Sequence, residues 1–191
     1  MLQELLDKNS KWASAQLNED ENYFQKLAEG QSPEIMLIGC CDSRFAFEVI
    51  TDSVPGEIFV HRNIANQVNP TDENILSAVE FAVKVLKVKH IVVCGHYECG
   101  GVAASIDRVE LEHVNSHIDP IVKLYDESSD GLASMEADEK FRRMVELNVE
   151  LQCENLSELD FMKEAGDYPH IHGWVFDLST GLINNLEINK Y

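Results

Sequence analysis

The sequence predicts an α/β fold: a mostly parallel central β-sheet flanked by helices, with an N-terminal helical arm and a C-terminal β extension. Three observations carry this. Ile35–Ile38, Ile58–Val60 and Ile91–Cys94 are short continuous apolar runs, the pattern of parallel strands buried on both faces. Between the last two runs, Ile75, Val79, Ala82, Val83 and Leu86 recur at helical spacing. The end of the chain changes character, with Ile171–Phe176 and Leu182–Ile188 flanking the turn residues Asp177-Leu178-Ser179-Thr180-Gly181.

Taken in order, residues 2–29 are polar with apolar positions at Leu2, Leu5, Leu6, Trp12, Leu17, Phe24 and Leu27, which predicts one or two amphipathic helices suited to packing on another subunit. Gln31-Ser32-Pro33 breaks that pattern ahead of the first strand. Thr71 or Asp72 is placed to cap the helix that leads to Leu86. Further helices are expected to open near Gly100-Gly101, to span Asp119–Tyr125, and to run through Phe141, Met144, Val145, Val149 and Leu156. Glu127–Ser134 reads as a loop, and the tail as a hairpin. The whole is expected to be a single domain over 1–191, with an arm at 1–30 and an α/β core at 31–191.

A chain of 191 residues can bury one sizeable core. No apolar run approaches the roughly 20 residues of a membrane helix, and the N-terminus lacks a secretory signal, so a cytoplasmic protein is expected. With 34 acidic against 15 basic residues, phosphate backbones and anionic membranes are repelled; nucleic-acid and membrane partners are disfavoured. Five cysteines without a secretory context point to metal binding or catalysis rather than to a disulfide framework.

Open α/β sheets bind ligands beyond the carboxyl ends of their strands. Two chemically loaded segments fall there: Cys40-Cys41-Asp42-Ser43-Arg44 and Gly95-His96-Tyr97-Glu98-Cys99-Gly100-Gly101. If the preceding strands are neighbours, one thiolate meets an imidazole and a second thiolate. Two sulfurs and one nitrogen suit Zn2+, and three protein ligands leave a fourth position open, as catalytic zinc requires.

These segments resemble those of the β-class carbonic anhydrases. The resemblance runs from Gln31 to Ile188 through Gly39–Arg44, Pro55–Asn66, Cys94–Val102, Asn148-Val149 and His172–Asp177. It implies zinc ligation by Cys40, His96 and Cys99, with Asp42 and Arg44 paired beside the metal. It implies a bicarbonate contact from Gln31 across a subunit interface, and therefore a homodimer or an assembly of dimers. The reaction implied is reversible hydration of carbon dioxide to bicarbonate and a proton by zinc-hydroxide attack. Two alternatives share these residues: a non-catalytic zinc-stabilised module with Asp42 as a fourth ligand, and a carbon disulfide or carbonyl sulfide hydrolase.

Asp42 can accept a hydrogen bond at the metal or become its fourth ligand, and Arg44 offers a bidentate clamp against the second outcome. Val60 and Ile64 are candidates for an apolar substrate pocket, and Gly100 for close backbone approach to it. Arg62 is expected to meet an anion or a carboxylate, His61 to be structural, Cys94 to be core, and Cys41, by strand alternation, to be a packed thiol. Leu37 and Phe176 stand where some family members carry tryptophan and tyrosine, so the resemblance does not extend to the inhibitory bicarbonate site of those members.

Overall fold

The computed structural model describes residues 1–166 and 169–190, with side chains described to residue 188. The chain separates into two compact units, Met1–Ser32 and Pro33–Tyr191. The first holds helices α1 (Leu2–Glu19) and α2 (Tyr23–Ala28). Trp12, Tyr23 and Phe24 pack edge to face there, with ring centroids 5.1–6.3 Å apart. Leu2, Leu5, Leu6 and Leu17 remain exposed, and α1 buries no residue.

The second unit is built on strands β1 (Ile35–Cys40), β2 (Ile58–Asn63), β3 (His90–His96), β4 (His170–Asp177) and β5 (Leu182–Lys190), in the order β2-β1-β3-β4-β5. The first four are mutually parallel, and β5 returns antiparallel to β4 as the expected hairpin. All three apolar runs are therefore strands, and the parallel pairing brings the ends of β1 and β3 to the same side of the sheet.

Helices α3 (Phe47–Ile50), α4 (Glu73–Glu80), α5 (Gly100–Asp107), α6 (Glu112–Glu127), α7 (Ser129–Leu132), α8 (Ala137–Glu158) and α9 (Asp160–Lys163) connect the strands. Asp72 rather than Thr71 caps α4, its side chain accepting from the Asn74 amide at 2.9 Å. Past Glu80 the helix widens into a π-helical turn, Phe81–Leu86, which ends at Lys87 with a left-handed φ of 57°. Two expectations need correction. The helix expected over Asp119–Tyr125 is α6, which starts earlier and carries Pro120 inside it. The loop expected over Glu127–Ser134 contains the short α7, tied down by buried Leu132.

Alternation along the strands divides the core between the two faces of the sheet. Met36, Ile38, Ile91, Val93, Ile171 and Val175 face the larger cluster, which includes Ile75, Val79, Ile121, Met144, Val149 and Leu156 from α4, α6 and α8. Leu37, Val92, Cys94 and Phe176 face the smaller one, with Phe45 and Phe47. Helix α8 approaches the sheet closely because two strand positions lack a side chain. A Cβ on Gly95 would lie 2.7 Å from Val149 Cγ2, and one on Gly173 would lie 2.5 Å from Ile188 Cδ1 and 3.1 Å from Val149 Cγ1. Among the described residues no helix is long and apolar enough to cross a membrane.

Candidate metal centre

β1 ends on Cys40 and β3 on His96; the turn after His96 delivers Cys99 to the start of α5. One ligand atom from each of these buried residues lies within 4.8 Å of the other two, the sulfurs being 3.9 Å apart. His96 is fully buried, and its Nδ1 meets the Tyr97 carbonyl at 2.8 Å. A carbonyl only accepts, so Nδ1 carries the proton and Nε2 keeps its lone pair. That Nε2 is buried with no hydrogen-bond partner, facing the sulfurs. An orphaned imidazole nitrogen beside two thiols is costly unless a cation takes it up, so the donor set fits zinc.

The two sulfurs share one proton readily. The hydrogen bond from the Cys99 thiol holds the Cys40 pKa well below that of a free thiol despite burial, with His96 helping. The same contact, together with burial, pushes Cys99 up. Burial alone would lower the His96 pKa, but the nearby Cys40 sulfur, with the Tyr97 carbonyl, raises it above its ordinary value. Together these groups form a buried cluster whose protons a divalent cation would displace.

Asp42 lies in the turn beside the cluster, its Oδ2 3.9 Å from His96 Nε2. Arg44 clamps it through both oxygens: Nε donates to Oδ1 at 3.0 Å and Nη2 to Oδ2 at 2.7 Å. The Arg44 amide adds a third bond at 2.9 Å, and Nη2 also reaches the Glu98 carbonyl at 3.1 Å. The Arg44 hydrogen bonds hold the Asp42 carboxyl far below the ordinary range, outweighing its partial burial.

A cavity of about 420 Å³ borders the cluster at Cys40 and is lined also by Cys41, Asp42, Ile64, Gly100, Gly101, Ala104, Val109, Leu111 and Val114. Gly100 is in the wall, and the position that needs glycine is Gly101, where a Cβ would stand 2.7 Å from Ile64 Cγ2. Val60 is turned away. It packs with Leu37 and Phe45 on the other face, because β2 alternates and only odd-spaced neighbours such as Phe59 face the larger cluster. Gln31 belongs to the N-terminal unit, in an exposed position.

Two further expectations are corrected. Cys41 is exposed and lines the cavity, since β1 stops at Cys40 and the alternation that would have buried it does not continue. Arg62 turns to backbone, and among the described residues it pairs with no carboxylate. Its guanidinium donates to the carbonyls of Cys40, Asp42 and Phe45 at 2.7, 2.8 and 2.6 Å, holding the ligand turn in shape. His61 is half-buried beside Asn63 and outside the ligand group, and Cys94 is fully buried.

Residues distant along the chain support His96 and Ile64 from behind. The Tyr97 hydroxyl donates to Glu146 at 2.8 Å, and the Arg142 guanidinium lies 3.5 Å from the centre of the Tyr97 ring while pairing with Asp177 at 3.0 Å. Burial and Glu146 push the Tyr97 pKa up to about 12. The Tyr97 amide donates to the Phe176 carbonyl, so the residue that orients His96 is held at both its backbone and its ring. Ala65 and Asn66 take left-handed φ values of 58° and 49°, a strained turn. Asn148 stabilises it by donating to the Ala65 carbonyl at 3.0 Å, and Gln67 donates to Asn148 at 2.8 Å. The Asn148-Val149 pair singled out in the sequence thus supports the cavity wall from α8.

Residues 35–183 match the family model described as carbonic anhydrase. A carbonic anhydrase of Emericella nidulans is 42% identical over 189 residues, covering 97% of this chain and 83% of the relative. A tetrameric β-carbonic anhydrase of Sordaria macrospora superposes with a TM-score of 0.95 at 36% identity, covering 100% of this chain and 98% of that one. A Coccomyxa β-carbonic anhydrase in complex with acetazolamide does so with a TM-score of 0.93 at 37% identity, covering 100% and 88%.

Proposed function

The chain belongs to the β-class carbonic anhydrases, and from that membership we propose that it hydrates carbon dioxide reversibly to bicarbonate at a zinc ion held by Cys40, His96 and Cys99. The observation that carries this reading is the buried, unpartnered His96 Nε2 facing two sulfurs beneath an apolar cavity. Zinc at that point supplies a Lewis acid that makes water nucleophilic near neutral pH.

The remaining roles fall to the chain's own groups. Cys40 and Cys99 bring two negative charges when fully ionised, which tempers the pull of the metal compared with three neutral imidazoles. Asp42 accepts the proton-bearing side of the nucleophile and orients it, because Arg44 holds both carboxylate oxygens in a fixed plane. Ile64, Ala104, Val109 and Val114 offer carbon dioxide an apolar approach that disfavours bulk water. Gln31 is assigned to bicarbonate in a neighbouring subunit, on the strength of the family resemblance. The exposed leucines of α1 favour the same assembly, a homodimer or a pair of dimers, since an amphipathic helix with no buried residue gains most from a partner surface.

Stopped-flow hydration of carbon dioxide by metal-analysed protein tests the proposal. Rapid turnover that disappears on chelation and returns with zinc is expected. One bound zinc with no turnover at pH 7 or pH 8.5 would overturn it in favour of a structural metal or another substrate.

A further inference from the structure

Three histidines gather at the opposite end of the sheet, on adjacent strands and on one face. His90 opens β3 and His170 opens β4, directly opposite each other in register; His172 follows two residues on, so its side chain returns to the same face. The His90 ring centroid lies 5.7 Å from that of His170 and 5.2 Å from that of His172. His90 Nδ1 and His172 Nε2 are 3.1 Å apart. All three rings are half-buried, reachable from solvent yet constrained by the strands.

We propose that His90 and His172, with His170 as a third donor, form a second transition-metal site that takes a borderline divalent ion such as Zn2+ or Ni2+. Imidazole nitrogen suits this class of ion. Two metal–nitrogen bonds of about 2.0–2.1 Å place their nitrogens roughly 2.9 Å apart at a right angle and about 3.3 Å apart at the tetrahedral angle. The observed 3.1 Å lies between the two. A small turn of each ring about its Cβ–Cγ bond converts nitrogens that face each other into nitrogens that face one ion. His170 stands in register with His90, its ring 5.7 Å away, and would reach the ion only after its own ring turns.

Electrostatics favour the same occupant. Burial and the neighbouring His90 and His170 hold the His172 pKa below its ordinary value, which favours the neutral ring that a metal needs. The formal charge of −19 concentrates cations around the whole molecule. The site is separate from the Cys40–His96–Cys99 cluster, because the six residue steps of extended β3 from His90 to His96 span about 20 Å. Its ion would staple β3 to β4, the strands whose far ends carry His96 and the Phe176 carbonyl that receives the Tyr97 amide.

Trp174 provides a reporter, since its ring lies 6.4 Å from that of His172 and Trp12 is the only other tryptophan. Protein carrying Trp12→Phe and loaded with one Zn2+ per chain is titrated with Ni2+ while tryptophan fluorescence, near-ultraviolet absorption and thermal midpoint are followed. Quenching that saturates at about one Ni2+ per chain is expected, without thiolate-to-nickel charge-transfer absorption and with a parallel rise in Tm. His90→Gln and His172→Gln, on different strands, should each weaken the midpoint roughly tenfold or more, the loss of about 1.4 kcal/mol of binding. Cys41→Ser should leave it unchanged. Absence of saturable quenching in the zinc-loaded protein overturns the site, as does an unchanged midpoint in whichever glutamine variant folds. Charge-transfer absorption that accompanies the quenching would also overturn it, by placing the ion on sulfur.

Discussion

His96 and His90 stand at opposite ends of the same strand, and their surroundings could hardly differ more. His96 is fully buried, its Nδ1 committed to the Tyr97 carbonyl and its Nε2 left facing two sulfurs. His90 is half-exposed, and its Nδ1 faces a second imidazole that can rotate. The first end is a preorganised pocket in which ligands, orienting carbonyl and charged clamp are all held by packing. The second is a pair of ring nitrogens at suitable separation without such support. Ligands already held in place lose little entropy on binding, so the first end would hold a metal tightly and the second would exchange it.

The comparison can be broken most severely at the buried end. Cys99→Ser removes one sulfur, and hydration activity should fall about a thousandfold or more together with zinc content, as a Lewis acid contributes several kcal/mol. Retained zinc with near-normal turnover would mean the ligand set is wrong. Asp42→Asn keeps the shape of the turn while removing the charge; kcat/KM should drop by about a hundredfold with zinc retained. A change of less than twofold would reduce Asp42 to a partner of Arg44 in the turn.

The supports behind His96 should matter less, and in a different observable. Arg142→Ala leaves the Tyr97 ring uncovered and Asp177 without its cation, and zinc should dissociate up to about tenfold faster, the low end of effects seen in outer-shell residues. An unchanged dissociation rate would confine Arg142 to the surface. Zinc uptake should also strengthen as pH rises and release at least one proton, because Cys99 stays protonated while Cys40 is ionised. Calorimetry in two buffers of different ionisation enthalpy counts that proton, and affinity constant from pH 6 to 8 would contradict the shared-proton pair.

The smallest effect lies at Asp177. Hydrogen bonds from Ser179 and Arg142 hold its carboxyl at about 2. A carboxyl depressed in the folded state stabilises the fold fully above its unfolded pKa of about 3.9, and that contribution is lost as pH falls toward 2. Asp177→Asn should therefore flatten acid unfolding in this window. An identical acid transition in the variant would show that the pair adds nothing there.

Much of this arrangement was legible from residue patterns, and the parts that were not share a cause. Continuous apolar runs mark buried parallel strands whatever they pair with, so Ile35–Ile38, Ile58–Val60 and Ile91–Cys94 could be located locally. The segments bearing Cys40, Asp42, His96 and Cys99 were readable because metal and acid–base chemistry need particular side chains at strand ends. Cys41 was misjudged because the alternation argument assumes that a strand continues, and β1 ends one residue earlier. The backbone contacts of Arg62 could not be foreseen, because three carbonyls gathered by a folded turn leave no mark in a sequence.

The sequence by itself determined the alternation of strands and helices, the donor types available for a metal, and the acidic surface, since each follows from local periodicity or from composition. The strand order β2-β1-β3-β4-β5 was decided only by the tertiary structure, and so were its consequences: sulfur beside imidazole at one end, three imidazoles together at the other, and Arg142 over Tyr97. The physical reason is that register and side-chain approach across tens of residues depend on which surfaces pack most closely. Gly95 and Gly173 illustrate it, because the space they leave is filled by Val149 from a helix far along the chain.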